Sequence, residues 1–214
     1  MKITWFGHAC FKLASDSGVT IITDPYDETV GYKLPEEHAD IVTVSHQHFD
    51  HSYVQGIPGK PEVISEAGNF SVKGIPIRGI VSYHDDQGGR KRGTNIVYVY
   101  EIDGVRVCHL GDLGHVLSKE QVEQIGHVDV LLIPVGGTYT IDAKAAASVV
   151  STLKPSIAIP MHYKTAKIDF PIDGVEKFLE VMGGGTYIHD HTLEVKKQDI
   201  EGKETRILVL DYEC

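Results

Sequence analysis

Paired cysteines, long apolar runs and an excess of positive charge are all missing from this chain, and each absence closes off a class of protein. Its three cysteines, Cys10, Cys108 and Cys214, are odd in number, far apart and without a C-x-x-C. They can build neither a disulfide framework nor a zinc ribbon. Cys10 and Cys108 sit in strand-like stretches and read as small buried apolar residues. No run approaches the roughly 18 apolar residues of a membrane span. Met1-Lys2-Ile3-Thr4-Trp5 enters strand-like alternation with no signal-peptide apolar region, so a cytoplasmic location and no membrane partner are expected. Basic residues number 20 against 30 acidic ones, a formal net charge of −10. That balance argues against a broad basic face for nucleic acid. No repeat, low-complexity tract or linker interrupts the sequence.

What is present is an ordinary globular composition, 42% hydrophobic with 22 glycines, over 214 residues. One domain spanning 1–214, large enough to bury its own core, is expected. The first half reads as short strands: 2–6, 11–14, 19–23, 40–45, 62–65, 70–73 and 75–83. Strands 95–102 and 105–110 flank Asp103-Gly104, a dipeptide suited to a type I′ hairpin. From residue 118 the texture changes to β/α alternation. Ser118 to Gln121 has the capping-box pattern and opens a helix to about Ile125. An Ala-rich helix over 143–153, entered through Thr140 or Asp142, stops before Pro155. A third helix over 175–182 closes on Gly183 to Gly185. Strands at 128–135, 157–161, 193–196 and 206–211 complete a layered α/β (α+β) domain.

Twelve histidines are the unusual feature, since histidine is both a common metal ligand and a catalytic base. The decisive stretch is His46-Gln47-His48-Phe49-Asp50-His51, placed directly after an apolar strand. Four ligand-type side chains within six residues cannot all face one ion from a regular element. A loop curling over itself can aim His46 and His48 at one metal and Asp50 and His51 at another.

H-x-H-x-D-H after a strand resembles the signature of the metallo-β-lactamase superfamily. Further stretches resemble it in family order: Asp24-Pro25 after Ile21-Ile22-Thr23, His84 after a strand, Gly111-Asp112 closing the hairpin strand, and Met161-His162-Tyr163. The resemblance implies a four-layer αβ/βα sandwich of two mixed sheets flanked by helices, with the site at the sheets' edge. It implies one metal on His46, His48 and His84. A second would take Asp50, His51 and His162, with Asp112 and a water shared between the two. Two divalent ions are implied, Zn²⁺ first, with Mn²⁺ or Fe²⁺ as alternatives.

Asp50 would also orient the attacking water and take its proton. Asp24 is either a carboxylate fixing a ligand histidine's tautomer or a turn residue before Pro25. His8 is either a pocket acid/base or substrate contact, or a plain turn residue. The run Gly88 to Gly93, carrying Arg90, Lys91 and Arg92, either receives an anionic substrate group or is a solvated loop. Arg92 and Asn95 are its first candidates for substrate contact, and Tyr163 either donates a hydrogen bond to a developing oxyanion or simply packs. His109 and His115 flank Asp112 as rivals to His84. His38, His127, His189 and His191 have no partners at ligand spacing.

Within the superfamily, His48 stands where flavodiiron oxidoreductases have glutamate, and Asp112 stands where zinc β-lactamases lack aspartate. Gly7 to Phe11, Ile133 to Gly137 and Pro160 to Tyr163 look most similar to the branch containing L-ascorbate-6-phosphate lactonase and small metal-dependent hydrolases. The expected function is hydrolysis of an ester, lactone or phosphodiester bond in a small anionic metabolite at a dinuclear site. The alternatives are a nuclease acting on RNA or DNA, disfavoured by the absence of a basic arm, and a non-catalytic metal-dependent binding or sensor protein. Assembly into a homo-oligomer is left open.

Overall fold

Apolar side chains at every second position organise the first half of the chain. The computed structural model describes residues 1–213, so Cys214 lies outside the described residues. The first strands are β1 (Lys2–Gly7), β2 (Cys10–Ala14), β3 (Thr20–Thr23), β4 (Ile41–Thr43) and β5 (Glu62–Ile64). Ile3, Trp5, Phe11, Leu13, Ile21 and Ile41 face the main core. Phe6, Cys10, Ile22 and Val42 face a second apolar cluster on the other side. This is the two-residue period of a sheet covered on both faces. The outer cover comes from the stretches either side of β4, around two short 3-10 turns at 28–30 and 54–56, with the buried side chains of Tyr26, Val30, Tyr32 and Ile57.

The second sheet begins with an antiparallel run of β6 (Gly68–Val72), β7 (Ile75–Tyr83), β8 (Thr94–Ile102) and β9 (Val105–His109). Asp103 and Gly104, at φ 52° and 76°, make the two-residue turn between β8 and β9. Then follow α1 (Lys119–Ile125), β10 (Val130–Pro134), α2 (Ala143–Leu153), β11 (Ile157–Met161), α3 (Glu176–Met182), β12 (Thr186–Tyr187), β13 (Thr192–Glu194), α4 (Lys197–Ile200) and β14 (Arg206–Val209). Ser118 and Gln121 complete the capping box of α1. Asp142 rather than Thr140 caps α2, accepting from the Ala145 amide at 2.8 Å. The short β12 and α4 are additions to the sequence expectation; two and four residues are too few to give a periodic signal.

The strands form two mixed sheets, ordered β13-β1-β2-β3-β4-β5 and β12-β14-β11-β10-β9-β8-β7-β6. Helix α1 packs on β7 and α2 on β10 and α3, giving the layered α/β arrangement expected. Tyrosines from the second sheet join the first: Tyr98 donates to the Val44 and Ile64 carbonyls, and Tyr100 pairs with the Thr43 hydroxyl at 2.7 Å. Buried hydroxyls so partnered fix how the sheets stack without leaving a polar group unsatisfied. No helix among the described residues is long and apolar enough to cross a membrane.

Strand direction is what places the site. β3 and β4 are parallel, as are β9, β10 and β11, and two antiparallel steps return β7 to the direction of β9. The chain therefore leaves β3, β4, β7, β9 and β11 just before Asp24, His46, His84, Asp112 and His162 respectively. Leu132, fully buried in the middle of β10, reports on the core beneath them. Leu132→Ala should lower unfolding stability by about 2–5 kcal/mol, read as a drop in urea midpoint at unchanged slope.

Candidate metal centre

Three of the side chains that meet at this edge are aimed by left-handed backbone: His8 at φ 51°, Asp24 at 41° and His162 at 49°. Such conformations cost a non-glycine residue free energy and persist only where the surroundings enforce them. The β1–β2 turn is one such place. Gly7 has φ 104°, and a Cβ there would lie 2.7 Å from the Tyr32 ring. The carbonyl of His8 accepts from the Trp5 indole at 3.1 Å and from the His162 amide at 3.0 Å.

Asp112 is the meeting point. Its Oδ2 lies 3.1 Å from His84 Nε2 and 3.2 Å from His162 Nε2, and its Oδ1 lies 3.3 Å from His51 Nε2. His46 Nε2 is 3.0 Å from His48 Nδ1 and 3.9 Å from Asp112 Oδ2. Asp50 Oδ2 lies 3.7 Å from His51 Nε2. The donor atoms gather as His46, His48 and His84 in one group, and His8, Asp50, His51 and His162 in another. Asp112 joins His46 and His51 between them. All seven residues expected as ligands are thus brought together.

The gathering fits divalent cations. Asp112 Oδ1 and His51 Nε2 are buried without a hydrogen-bond partner among the described residues. Donors around an ion at about 2.0–2.2 Å stand about 3.0–3.5 Å from each other, the spacing found around Asp112. Imidazole nitrogens with a few carboxylates are a donor set for Zn²⁺, Mn²⁺ or Fe²⁺.

Asp24 sits behind these donors and orients two of them. It accepts from the Ser45 amide at 2.7 Å, the Ser45 hydroxyl at 2.6 Å and His51 Nδ1–H at 2.9 Å. Ser45 Oγ in turn accepts from His46 Nδ1–H at 2.9 Å. One carboxylate therefore orients His51 directly and His46 through Ser45, leaving both Nε2 atoms turned to the centre. These contacts with Ser45 and His51 are the ones that the tautomer-fixing reading of Asp24 requires. Ser45 was not a sequence candidate; its only signal was a hydroxyl beside a ligand-type histidine.

Electrostatics follow from burial. Burial opposes ionisation of Asp24, yet the hydrogen bond and charge of His51 outweigh it and hold the carboxyl below its ordinary range. Burial likewise opposes Asp112, and His162 and His51 outweigh it. His51 is pushed well above 6.5, because Asp112 and Asp50 overcome the cost of burying its charge. Burial lowers His46 to about 3, and burial with the nearby His162 lowers His8 to about 4.

Three expected roles change. His8 is closed off from solvent, and its Nε2 donates to Asp50 Oδ2 at 3.1 Å, so what the geometry gives it is the positioning of Asp50. Asn95 is fully buried and its amide is occupied. It donates to Ser82 Oγ and the Leu110 carbonyl and accepts from the Asp112 amide at 2.9 Å, so it holds the Asp112 turn instead of touching substrate. Gly111 belongs to the same arrangement, since a Cβ there would lie 2.4 Å from Asn95 Oδ1. Tyr163 turns its ring against Trp5 in the main core, with centroids 5.3 Å apart, and gives no oxyanion contact.

The rivals to His84 are engaged elsewhere. His109 donates to the Ala9 carbonyl at 2.8 Å and accepts from the Gly111 amide at 3.1 Å. His115 accepts from the Tyr83 amide at 3.2 Å and donates to the Val116 carbonyl.

A cleft of about 530 Å³ opens onto the donors, lined by His48, Asp50, His84, Asp112 and His162. Its apolar walls are Phe49, Tyr139 and Phe170, and Lys91 and Arg92 border it. Lys91 and Arg92 belong to the run that the sequence offered to an anionic group, whereas Phe49, Tyr139 and Phe170 were not candidates from sequence.

Residues 2–162 match the profile of a family described as a beta-lactamase superfamily domain. The UPF0173 metal-dependent hydrolase of Thermoplasma acidophilum is 32% identical over 215 aligned positions, which cover 88% of this chain and 94% of that one. Among solved structures, a candidate Zn-dependent hydrolase of the metallo-β-lactamase superfamily from Thermotoga maritima is 42% identical. It has a TM-score of 0.81 and covers 98% of this chain and 99% of that one. A metallo hydrolase from Ignicoccus hospitalis, 23% identical with a TM-score of 0.65 over 91% of this chain and 99% of its own, shares the fold.

Two outcomes test the centre. Asp24→Asn keeps the shape but removes the charge that fixes His51 and His46, so metal affinity in chelator competition should fall about 10–100-fold. In metal-free protein, the unfolded chain takes up protons at His8 and His46 below about pH 6.5 that the folded chain refuses until about pH 4 and 3. Stability is therefore present above pH 6.5 and lost as pH falls, by on the order of 1–2 kcal/mol per histidine between pH 7 and 5. His51, held protonated in the fold well above 6.5, runs the other way and offsets on the order of 1 kcal/mol of the total loss over the same window. Urea unfolding at the two pH values measures it.

Proposed function

The chain belongs to the metallo-β-lactamase superfamily, and from that premise we propose that it is a metal-dependent hydrolase with a dinuclear site, acting on a small anionic metabolite. The carrying observation is the convergence of three histidine Nε2 atoms, from His51, His84 and His162, on the single carboxylate of Asp112. Printed descriptions of relatives as metal-dependent hydrolases support the reading.

His46, His48 and His84 would hold one divalent ion, and Asp50, His51 and His162 a second, with Asp112 between them. Bound there, such ions supply a water acidic enough to attack near neutral pH and a Lewis acid for the substrate's carbonyl or phosphoryl oxygen. Zn²⁺ is the first choice for both, with Mn²⁺ or Fe²⁺ as alternatives. Asp50 does the proton work in this reading. Its carboxylate lines the cleft, is held ionised against the cost of burial by His51 and His8, and accepts the proton lost by the attacking water. His8 keeps that carboxylate turned to the cleft by occupying Oδ2. Asp24 and Ser45 keep His51 and His46 in the donor tautomer, and Asn95 keeps the Asp112 backbone in place. The bond cleaved is an ester, lactone or phosphodiester, and the cleft's volume suits a small molecule better than a polymer groove.

Protein purified without chelator should carry two divalent ions per chain by elemental analysis. Its hydrolysis of a panel of small esters, lactones and phosphodiesters should vanish on chelation and return with metal. Asp112→Asn should lower metal content, and Asp50→Ala should abolish turnover while weakening one of the two ions. One ion or fewer per chain, or Asp50→Ala binding both ions unchanged, would overturn the dinuclear assignment. Metal-loaded protein inert across the whole panel would favour a binding or sensor role.

A further inference from the structure

Beside the metal donors, the loop 85–93 is built around a carboxylate that does not pair with the loop's own cations. Asp85 is buried, and its Oδ1 accepts from the Gln87 and Gly89 amides at 2.8 and 2.9 Å. Its Oδ2 accepts from the Lys91 and Arg92 amides, both at 2.8 Å. Four amides satisfy one acid, so the loop is ordered without neutralising Arg92. The Arg92 guanidinium lies over the Tyr139 ring, 5.3 Å from its centroid, and has no ion pair among the described residues. A planar cation so held offers several unoccupied N–H donors to a bidentate anion.

Between that cation and the metal donors runs a continuous aromatic wall. Phe170 meets Tyr139 at 6.3 Å, under Arg92, and behind this surface the buried His8 ring meets Phe170 at 5.7 Å and His162 at 4.1 Å, tilted by 39°. Phe49, 55% exposed beside the donors, adds an apolar surface on the same cleft. Phe49, Tyr139 and Phe170 together give this concave site an apolar lining, of the kind that receives an apolar ligand segment.

Resting on the hydrolase reading above, we propose that the substrate carries its anionic group and its scissile bond at opposite ends of an apolar, preferably aromatic, segment. Arg92 receives the anion, the wall of Tyr139 and Phe170 receives the segment, and Asp85 is the positioning residue that holds Arg92 in reach. The anion is a carboxylate or phosphate remote from the bond cleaved.

A matched pair of probes tests this with metal-loaded protein: 4-acetoxybenzoate, and 4-acetoxybenzamide, the same ester with a neutral amide in place of the carboxylate. Wild type should prefer the anionic ester at least tenfold in kcat/KM. Arg92→Ala should erase the preference by raising KM for the anionic ester about tenfold, with its kcat and the neutral ester's constants within twofold, and Arg92→Lys should recover part of it. Asp85→Asn should shift the same KM by a smaller factor and leave the neutral ester alone, a selectivity that a general loss of fold would not show. Equal turnover of both probes, or a preference that survives Arg92→Ala, overturns the inference while the hydrolase reading stands. If neither probe turns over, calorimetric binding of 4-hydroxybenzoate decides. Binding lost in Arg92→Ala supports the inference, and no binding, or binding unchanged in that variant, overturns it. Metal content and the wider substrate panel report separately on the hydrolase reading.

Discussion

Three carboxylates, Asp24, Asp50 and Asp112, lie out of water at one edge of the two sheets, and the surrounding structure is arranged to keep them ionised. An isolated buried carboxylate is costly and would sooner take up a proton. Here hydrogen bonds and positive charge prevent that. Ser45 and His51 answer Asp24, His8 and His51 answer Asp50, and the Asn95-held turn with three histidines answers Asp112. In the proposed holoprotein, two divalent ions would supply the positive charge that the metal-free chain must place on a protonated His51.

That requirement explains features distant from the chemistry. The left-handed turn at Gly7-His8 brings His8 onto Asp50 and links the first sheet to the second through the His162 amide. His109, at the end of β9, reaches back to the Ala9 carbonyl of the same turn. The two sheets are thus tied by polar contacts at the edge where the donors gather, and further in by apolar packing together with the Tyr98 and Tyr100 hydroxyls. The strain at His8, Asp24 and His162 is located where those ties overdetermine the backbone.

Much of this was legible in the sequence. The alternation of 2–14, the Asp103-Gly104 turn, the Ser118 capping box and the helix before Pro155 are local signals, and local physics decides them. His46 to His51 was legible because its density has no structural use on a strand-end loop, and Asp24, His84, Asp112 and His162 followed from the resemblance. What failed was direction. Tyr163 adjoins His162, but consecutive side chains leave a strand end on opposite sides, and its ring went to Trp5. Asn95 adjoins the basic loop but sits on the inward face of β8. Ser45, Tyr139 and Phe170 acquire their roles only through partners tens of residues away. Asp85 was local yet unread, because an aspartate before two glycines signals a turn without showing which amides it gathers.

The pairing of β1 with β13, Lys2 against Glu194 and Thr4 against Thr192, has a consequence for the order of assembly. The first strand finds β2 at once, but its other edge waits for residues 192–194, far along the chain. Closure of the metal site likewise waits for His162. A nascent chain therefore carries the His46 to His51 cluster, already able to attract metal, long before the remaining donors exist, with β1 still an open edge. Such a chain is exposed to binding the wrong ion in an incomplete cage. The long-range contacts that make the finished site rigid are the same ones that make its assembly late.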